Sequence, residues 1–558
     1  MDIRLLTETL SVSPQVTAAD IEAVRAAGFQ SVICNRPDGE ASDQPNFDEI
    51  GRAARACGLQ AHYLPAESGK VTDEQGAAFG ALMDALPKPV LAFCRTGTRS
   101  TTMWALSQAG RLPLPLILET ATGAGFDLKG LVRRIANGGK TPVEVADAMH
   151  AVVIVGGGAA GIAVASSLLS RNPKLDIAII DPADVHYYQP GWTLVGAGVF
   201  EASSTARTLA SVLPHGVHWL KAAVAAFEPE RNAVVLDGCR VVRYEQLVVC
   251  PGLKLDWNGI EGLTETLGRN GVTSNYRYDL APYTWELVQQ LARDKGGRAI
   301  FSQPPMPIKC AGAPQKAMYL SADLWRSVGV LPNVDIQFCN AGAVLFGVAD
   351  YVPALMEYVQ AYGIHLNFGE TLVAVDGPAR CATFSRALPD GGKERIVREF
   401  DMLHAVPPQR APDFVRVSPL ADAAGWVEVD PATLRHKKFA NVFALGDVAS
   451  TSNAKTAAAA RKQAPVVAHN LLTTRGDAKG DAQYDGYGSC PLTVERGKIV
   501  LAELTYGGKV APSFPKLLID GTRPSALAWL LKERILPPLY WDGMLKGREW
   551  MAQPELVG

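Results

Sequence analysis

The chain reads as α/β throughout: a small α/β domain stands ahead of a larger α/β module that closes on a helical C-terminal segment. Three observations predict this. Apolar residues alternate between helical and strand periodicity over the first 120 residues, a glycine-rich turn at 156–161 joins a strand to a helix, and the composition is that of an ordinary globular chain. A length of 558 residues accommodates three or four modules. Hydrophobic residues at 48% and charged residues at 20% exclude a disordered or fibrous chain. Lys and Arg total 54 against 56 Asp and Glu, a net charge of -2 with no basic block, so nucleic acid is not expected as a partner. Nine scattered cysteines and an opening, MDIRLLTETL, without a basic stretch followed by an apolar run suggest a cytoplasmic chain with reduced thiols. The longest uncharged stretch, 150–170, is broken by glycines, and no transmembrane helix is expected.

In chain order, 17–29 has the pattern of an amphipathic helix, 30–37 of a strand, 47–58 of a helix, 59–65 of a strand and 73–87 of a helix ending at prolines. The apolar run 90–93 is a buried strand that leads into CRTGTRS (94–100) and a further helix at 101–110. These elements place a first domain at 1–120, and the glycine-rich stretch that follows reads as a linker at 121–150. The large module spans 151–520. It starts with strand, turn and helix over 151–170 and a strand at 174–180, and its second dinucleotide-type subdomain lies around 255–400, with strands at 298–303 and 334–340. The C-terminal segment is 521–558.

Gly156, Gly158 and Gly161 form GxGxxG between strand and helix, and Asp181 ends the next strand. Gly156 permits the tight turn, Gly158 lets backbone approach a pyrophosphate, Gly161 lets helix pack on strand, and Asp181 can accept from a ribose hydroxyl. That motif alone does not separate FAD from NAD. A late apolar strand ending in Gly446-Asp447 is the pattern by which two-dinucleotide flavoproteins hold the ribityl chain of FAD, so FAD is the expected cofactor. The second subdomain lacks a glycine-rich turn: after 298–303 come Pro304, Pro305 and Pro307, which have no N–H to offer a pyrophosphate. Electrons are therefore not expected from a nicotinamide. Cys310 sits in that loop beside Lys309, where a cation favours the thiolate, although a lone cysteine is more often a packing residue.

Five segments carry a resemblance: HYYQPGWTLVGAG (186–198), PIKCAGAPQKAMYL (307–320), SPLADAAGWVEVD (418–430), NVFALGD followed by SNAKTAAAA, and YDGYGSCPL (484–492). In order across about 151–550, they resemble sulfide:quinone oxidoreductases of the mitochondrial and proteobacterial type. The resemblance implies that FAD takes electrons from sulfide through two redox cysteines, leaves sulfane sulfur on a cysteine and passes the electrons to a quinone. Cys310 matches the first of these cysteines. The second would directly follow the Gly-Asp pair, where this chain has Val448. Either Cys310 works alone as a persulfide or another thiol substitutes; Cys490 and Cys250 are the candidates, and spacing favours neither. Lys455 matches a family lysine expected near the flavin. No metal is implied.

In the small domain, Cys94 and Arg99 bound a CxxxxR loop at a strand-to-helix junction, with Arg95, Gly97 and Thr98 between them and Ser100 after. Successive N–H groups there suit an anion and lower a thiol pKa. With LSVSPQ and SVICNRPDGE, the loop resembles the small phosphatase-like domain fused to β-lactamase-fold hydrolases. It is one residue shorter than the CxxxxxR loop of tyrosine phosphatases, and in this it is similar to rhodaneses, which carry a persulfide. Phosphatase, sulfurtransferase and inert scaffold stay open; Asp38 or Glu67 could supply a general acid, and the fusion to a sulfide-oxidising module favours sulfur transfer to a small thiol. The rival reading is a flavoprotein without sulfide activity that carries a tyrosine-phosphatase-like regulatory domain. Finally, 525–551 mixes Trp529, Leu530, Leu531, Ile535, Tyr540 and Trp541 with Lys532, Arg534 and Lys546, the pattern of an interfacial helix pair as much as of a docked helix. A quinone substrate favours peripheral contact with the inner face of a membrane; self-association is left open.

Overall fold

The computed structural model describes residues 2–42, 44–142, 148–388 and 391–557. The chain divides into two compact units: Met1–Met149 with Ala222–Arg243 and Asp413–Pro419, and His150–Lys221 with Tyr244–Pro412 and Leu420–Gly558.

The first unit is built on a five-stranded sheet ordered Arg4–Thr7, Leu10–Ser13, Val90–Phe93, Ser31–Cys34, Gln60–Tyr63. All its pairings but the first are parallel. The two central strands, SVIC and VLAF, are buried along their whole length, as parallel strands covered on both faces must be. One cluster holds Ile21, Val24, Ile50 and Phe93, and the other Ile33, Phe79, Met103 and Trp104. The stretch read as a linker is part of this unit. Helices Leu114–Gly123 and Val132–Ala136 place Ile117, Ala121, Val132 and Ile135 in the second cluster, an apolar spacing masked in the sequence by the surrounding glycines. The unit also contains the antiparallel strands Val224–Glu228 and Ala233–Leu236, which the sequence reading placed in the large module. Arg133 grips Glu228 there through Nε (3.1 Å) and Nη2 (2.9 Å), and Ala226 and Val235 join the same core. Residues 143–147 of the expected linker lie outside the described residues.

The second unit has two sheets. In the first, Val217–Leu220, Ile177–Ile180, Ala148–Val155 and Val241–Val249 lie side by side, with Val442–Ala444 parallel to the last. Helices Ala159–Arg171 and Ala457–Arg475 pack together on it, contributing Ile162, Leu168, Val467 and Leu471 to one core. The second sheet runs Val272–Thr273, Met402–His404, Gly297–Gln303, Val334–Asn340, His365–Phe368, parallel throughout. Helix Ala313–Ser327 covers it and receives the hairpin Gly488–Glu495/Lys498–Leu504 on its other side. Parallel strands followed by helices put every loop that follows a strand at one edge, where ligands bind in such folds.

The C-terminal stretch departs from the expected interfacial pair. It is helical from Ala526 to Lys546, but Tyr540, Trp541, Met544 and Leu545 are buried in the unit's own core. Tyr540 and Trp541 pack on Tyr188 and His186, and Tyr540 Oη lies 2.6 Å from His186 Nε2. Leu527, Leu530 and Ile535 remain exposed, near half of their free surface each. Among the described residues no helix is long and apolar enough to cross a membrane.

Candidate functional site

In the second unit the glycine-rich turn is shaped by contacts that only glycine permits. Gly156 has φ 108°, in the left-handed region, and a Cβ on it would stand 2.5 Å from the Cys250 carbonyl oxygen. A Cβ on Gly161 would lie 1.9 Å from the Gly156 oxygen, so helix and turn touch directly. Gly158 is the opposite case. It caps the 13-residue helix Ala159–Arg171 and has nothing within 4 Å of an added Cβ, so space is left open at a helix N-terminus suited to a pyrophosphate. Asp181 accepts the Gly157 N–H at 2.6 Å and the Ala183 N–H at 2.8 Å. Cys250 lies beneath this turn, its thiol directed at the Gly156 oxygen at 3.7 Å, and burial pushes that thiol far above the usual range. It is a packing residue, which removes it as a substitute for the missing redox cysteine.

Gly446 has φ 74°, donates its N–H to Gln463 Oε1 at 2.8 Å, and a Cβ on it would come within 3.2 Å of Ala160. The turn after strand Val442–Ala444 is thus brought against the start of the first helix. Burial raises the Asp447 carboxyl, opposed by Lys309 and Lys455. Lys455 Nζ donates to the carbonyls of Asp447 (2.7 Å) and Ala449 (3.0 Å) and lies 4.3 Å from the Trp426 ring; burial lowers it to about 8. The open space at Gly158, the Asp181 carboxylate and the half-buried Gly446-Asp447 turn fit the pyrophosphate, ribose and ribityl parts of a flavin dinucleotide.

Cys310 lies between strand Gly297–Gln303 and helix Ala313–Ser327. Its φ of 78° is in the left-handed region, unusual for a residue with a side chain, and strain of this kind gathers at functional sites. The loop is pinned from three sides: Tyr276 Oη donates to the carbonyls of Lys309 (3.1 Å) and Cys310 (3.3 Å), Gln409 Oε1 accepts the Lys309 N–H (2.8 Å), and the Cys310 carbonyl accepts from Ala313 (2.6 Å). One helical turn on, buried Lys316 directs Nζ to Cys310 Sγ at 3.3 Å. Cys490, on the strand Gly488–Glu495, stands beside this loop, its sulfur 2.6 Å from where a Cβ on Gly312 would lie. Interaction between the two thiols, outweighing burial and helped by Lys316 and Lys532, holds the Cys310 thiol well below the usual range, while the same interaction and burial push Cys490 up. Burial works against the charge of Lys316, but the two thiols outweigh it and raise its pKa. Lys532, from the C-terminal helical run, is buried beside Thr493 Oγ1 (3.2 Å); burial, reinforced by Lys316, lowers it to about 7.

The sequence reading found Cys310 but not Lys316 or Lys532, and left Cys490 level with Cys250. Lysine at the sixth residue after a loop cysteine is a readable signal once a helix is drawn from 313. Lys532 had none, because its segment reads as an interfacial helix.

In the first unit, Cys94 ends strand Val90–Phe93 and is fully buried, its sulfur accepting the Gly97 N–H at 3.1 Å. Gly97, with φ 89°, caps helix Thr98–Gln108. Arg99 is already forked onto Glu40, Nη1 to Oε1 at 2.8 Å and Nη2 to Oε2 at 2.9 Å, and gives a further bond to the Ala66 carbonyl. Arg36 adds a bond to Glu40 at 2.7 Å, and these bonds, Arg99's first, hold the Glu40 carboxyl below its usual range against burial. The two acids marked in the sequence are engaged elsewhere: Asp38 accepts the Phe47 N–H, and Glu67 pairs with Lys70 at the surface. A cavity of about 390 Å³ opens beside the loop, lined by Gly69, Arg95, Thr98, Arg99 and Arg134 among others. Outside both sites, His150, Asp176 and His218 bring ligand atoms within 4.8 Å of one another at the surface; exposed groups of this kind are common without an ion, and the cluster carries no assignment.

A flavin-type dinucleotide turn, a second parallel sheet and a thiolate-favouring cysteine at its loop edge define a flavoprotein oxidoreductase of the disulfide-reductase class. The family model for pyridine nucleotide-disulphide oxidoreductases matches residues 150–284. The chain is 42% identical over 407 residues to the mitochondrial sulfide:quinone oxidoreductase of Dictyostelium discoideum, covering 73% of this chain and 88% of that one. It is 37% identical over 398 residues to that of Mus musculus, covering 71% and 87%. It belongs to the sulfide:quinone oxidoreductase family. The solved sulfide:quinone oxidoreductase of the hyperthermophilic bacterium Aquifex aeolicus shares the fold with a TM-score of 0.58 at 19% identity, over 72% of this chain and 92% of that one. Residues 2–111 match the model described as the phosphatase-like domain of beta-lactamase hydrolase-like proteins, and the Agrobacterium fabrum protein of that name is 34% identical over 130 residues, 23% of this chain and 30% of its own length.

Proposed function

We propose that this chain oxidises sulfide to sulfane sulfur at Cys310 and passes the two electrons through FAD to a quinone. The observation that carries the reading is the Cys310 sulfur 3.3 Å from Lys316 Nζ, a cation that favours the thiolate, at the loop edge of the flavoprotein fold. Bound FAD supplies a two-electron acceptor between sulfur and quinone. The protein's part is to seat its pyrophosphate at Gly156, Gly158 and Gly161, its ribose at Asp181 and its ribityl chain at Gly446 and Asp447, with Lys455 as a nearby cation that favours a reduced, anionic ring. Anaerobic sulfide should bleach the yellow protein while NADH and NADPH do not; rapid bleaching by NADH alone would refute the reading.

For the first unit we favour sulfur transfer over phosphate hydrolysis. Arg99 is occupied by Glu40 and is not free to fork onto a phosphate, and both expected acids are engaged in other bonds, Asp38 with the Phe47 N–H and Glu67 with Lys70. Cys94 would accept sulfane sulfur and pass it to a small thiol, with Arg95 and Arg134 drawing an anionic donor into the adjoining cavity. In a Cys310→Ser background, transfer from thiosulfate to glutathione that disappears with Cys94→Ser supports this; turnover of aryl phosphates without a Cys94 persulfide overturns it. The exposed Leu517, Leu518, Leu527, Leu530 and Ile535 support a peripheral membrane contact at the cytoplasmic face, tested by co-sedimentation with lipid vesicles.

A further inference from the structure

We propose that Cys490 is the second redox thiol of the sulfide site, forming with Cys310 the dithiol that Val448 cannot complete. The assignment rests on the sulfide-oxidising reading above. Three features of the packing support it. Strand Gly488–Glu495 lies on helix Ala313–Ser327 and buries Cys490 in the same apolar cluster that Cys310 borders. Gly312, two residues after Cys310, lacks a side chain where one would collide with that sulfur: a Cβ on it would come 2.6 Å from Cys490 Sγ. The strained φ of Cys310 fixes the loop that holds its sulfur 3.3 Å from Lys316 Nζ, on the side where Gly312 meets Cys490. Val448, by contrast, is fully buried in a short helical turn and offers no sulfur chemistry.

The electrostatics match a working pair. Interaction between the two thiols, with Lys316 beside Cys310, lowers Cys310 and raises Cys490, a split in acidity suited to thiol–disulfide exchange. Lys316 lies against Cys310, and no carboxylate pairs with Lys316 among the described residues.

In the oxidised pair the two sulfurs share a disulfide bond. Hydrosulfide attacks the sulfur of Cys310, which is the less buried of the two. The disulfide breaks, a persulfide forms on Cys310, and Cys490 leaves as a thiol after taking up one proton. An acceptor thiol then attacks the outer sulfur, leaving as a persulfide and restoring the Cys310 thiol. Re-forming the disulfide releases two electrons and two protons, for which bound FAD would be the acceptor, with a quinone behind it. Over the cycle, hydrogen sulfide and one acceptor thiol become one acceptor persulfide and two reducing equivalents.

The test uses the full-length flavin-loaded protein. Alkylated without reductant, digested and weighed, it should yield Cys310 and Cys490 peptides joined by a disulfide or trisulfide, a link that dithiothreitol removes. Cys490→Ser and Cys490→Ala should each lower sulfide-dependent quinone reduction by at least about a hundredfold, as expected for one member of a pair acting as a unit, with visible flavin content kept; Cys381→Ser, on a remote strand, should match wild type. Cys310 recovered unlinked from oxidised protein that turns over sulfide overturns the proposal, as does full activity in both Cys490 variants. A linked pair in a protein that sulfide fails to reduce supports the pairing and overturns the sulfide reading instead.

Discussion

Cys94 and Cys310 each stand where a parallel strand gives way to a helix, each has an arginine or lysine within a turn, and the two sites treat their sulfurs differently. At Cys94 the nearby guanidinium is already matched by Glu40, the sulfur has one N–H donor from Gly97, and no solvent reaches it. At Cys310 the cation has no carboxylate partner among the described residues and donates directly to the sulfur, a second thiol lies nearby, and the residue is partly exposed. A positive side chain near a thiol thus counts for reactivity only as far as its charge is not already neutralised. Cys310 is placed to react, whereas Cys94 is shielded from solvent beside a cation whose charge is already matched.

The contrast can be broken most sharply by exchanging serine for each sulfur in turn. Cys310→Ser should abolish sulfide-dependent quinone reduction, a loss of about a thousandfold or more, whereas Cys94→Ser should leave it within about twofold, both read by quinone absorbance at saturating sulfide; equal losses would mean one shared site. Next in size is Lys532→Met. The folded chain holds this lysine's proton only up to about pH 7, against 10.5 for an exposed lysine, so the unfolded chain binds more protons between these values and stability rises with pH. Removing the amine should therefore stabilise the protein by roughly 2 kcal/mol or more below pH 7, with the gain fading as pH approaches 10.5; thermal melting at pH 6 and pH 10 checks the sign. Lys316→Met takes away the cation at Cys310, and the midpoint of Cys310 alkylation with pH should move up by at least about one pH unit. Glu40→Gln sharpens the other half of the comparison. With Arg99 less neutralised, Cys94 should be alkylated about twofold faster at neutral pH, and an unchanged rate would show that the Arg99–Glu40 pair does not restrain that thiol.

What the sequence made readable follows from where the constraint is written. The flavin turn was legible because Gly156 and Gly161 carry their steric demand in their own identities, and the strand and helix around them have clear periods. Cys310 was legible through its segment. Its partner was not, because Cys490 reaches it only through the packing of a late hairpin on helix Ala313–Ser327, a contact between distant parts of the chain that no spacing rule encodes. Glu40 escaped notice for a similar reason: nothing in a loop before residue 47 announces a fork with Arg99. The C-terminal aromatics gave a true ambiguity, since the same mixture of Trp, Tyr and Leu suits a lipid surface or a core, and what decided for Tyr540 and Trp541 was the presence of His186 and Tyr188 as partners.

That last contact bears on the order in which the chain is made. His186 has one ring nitrogen 3.2 Å from the Gly157 carbonyl and the other at the Tyr540 hydroxyl, and strand Asp481–Gln483 pairs with Glu555–Val557. During synthesis His186 emerges 354 residues before the tyrosine that braces it. The second unit therefore cannot close until Tyr540 has been made, and a chain cut short before Lys532 would leave its flavin turn without its back wall and its dithiol without that lysine.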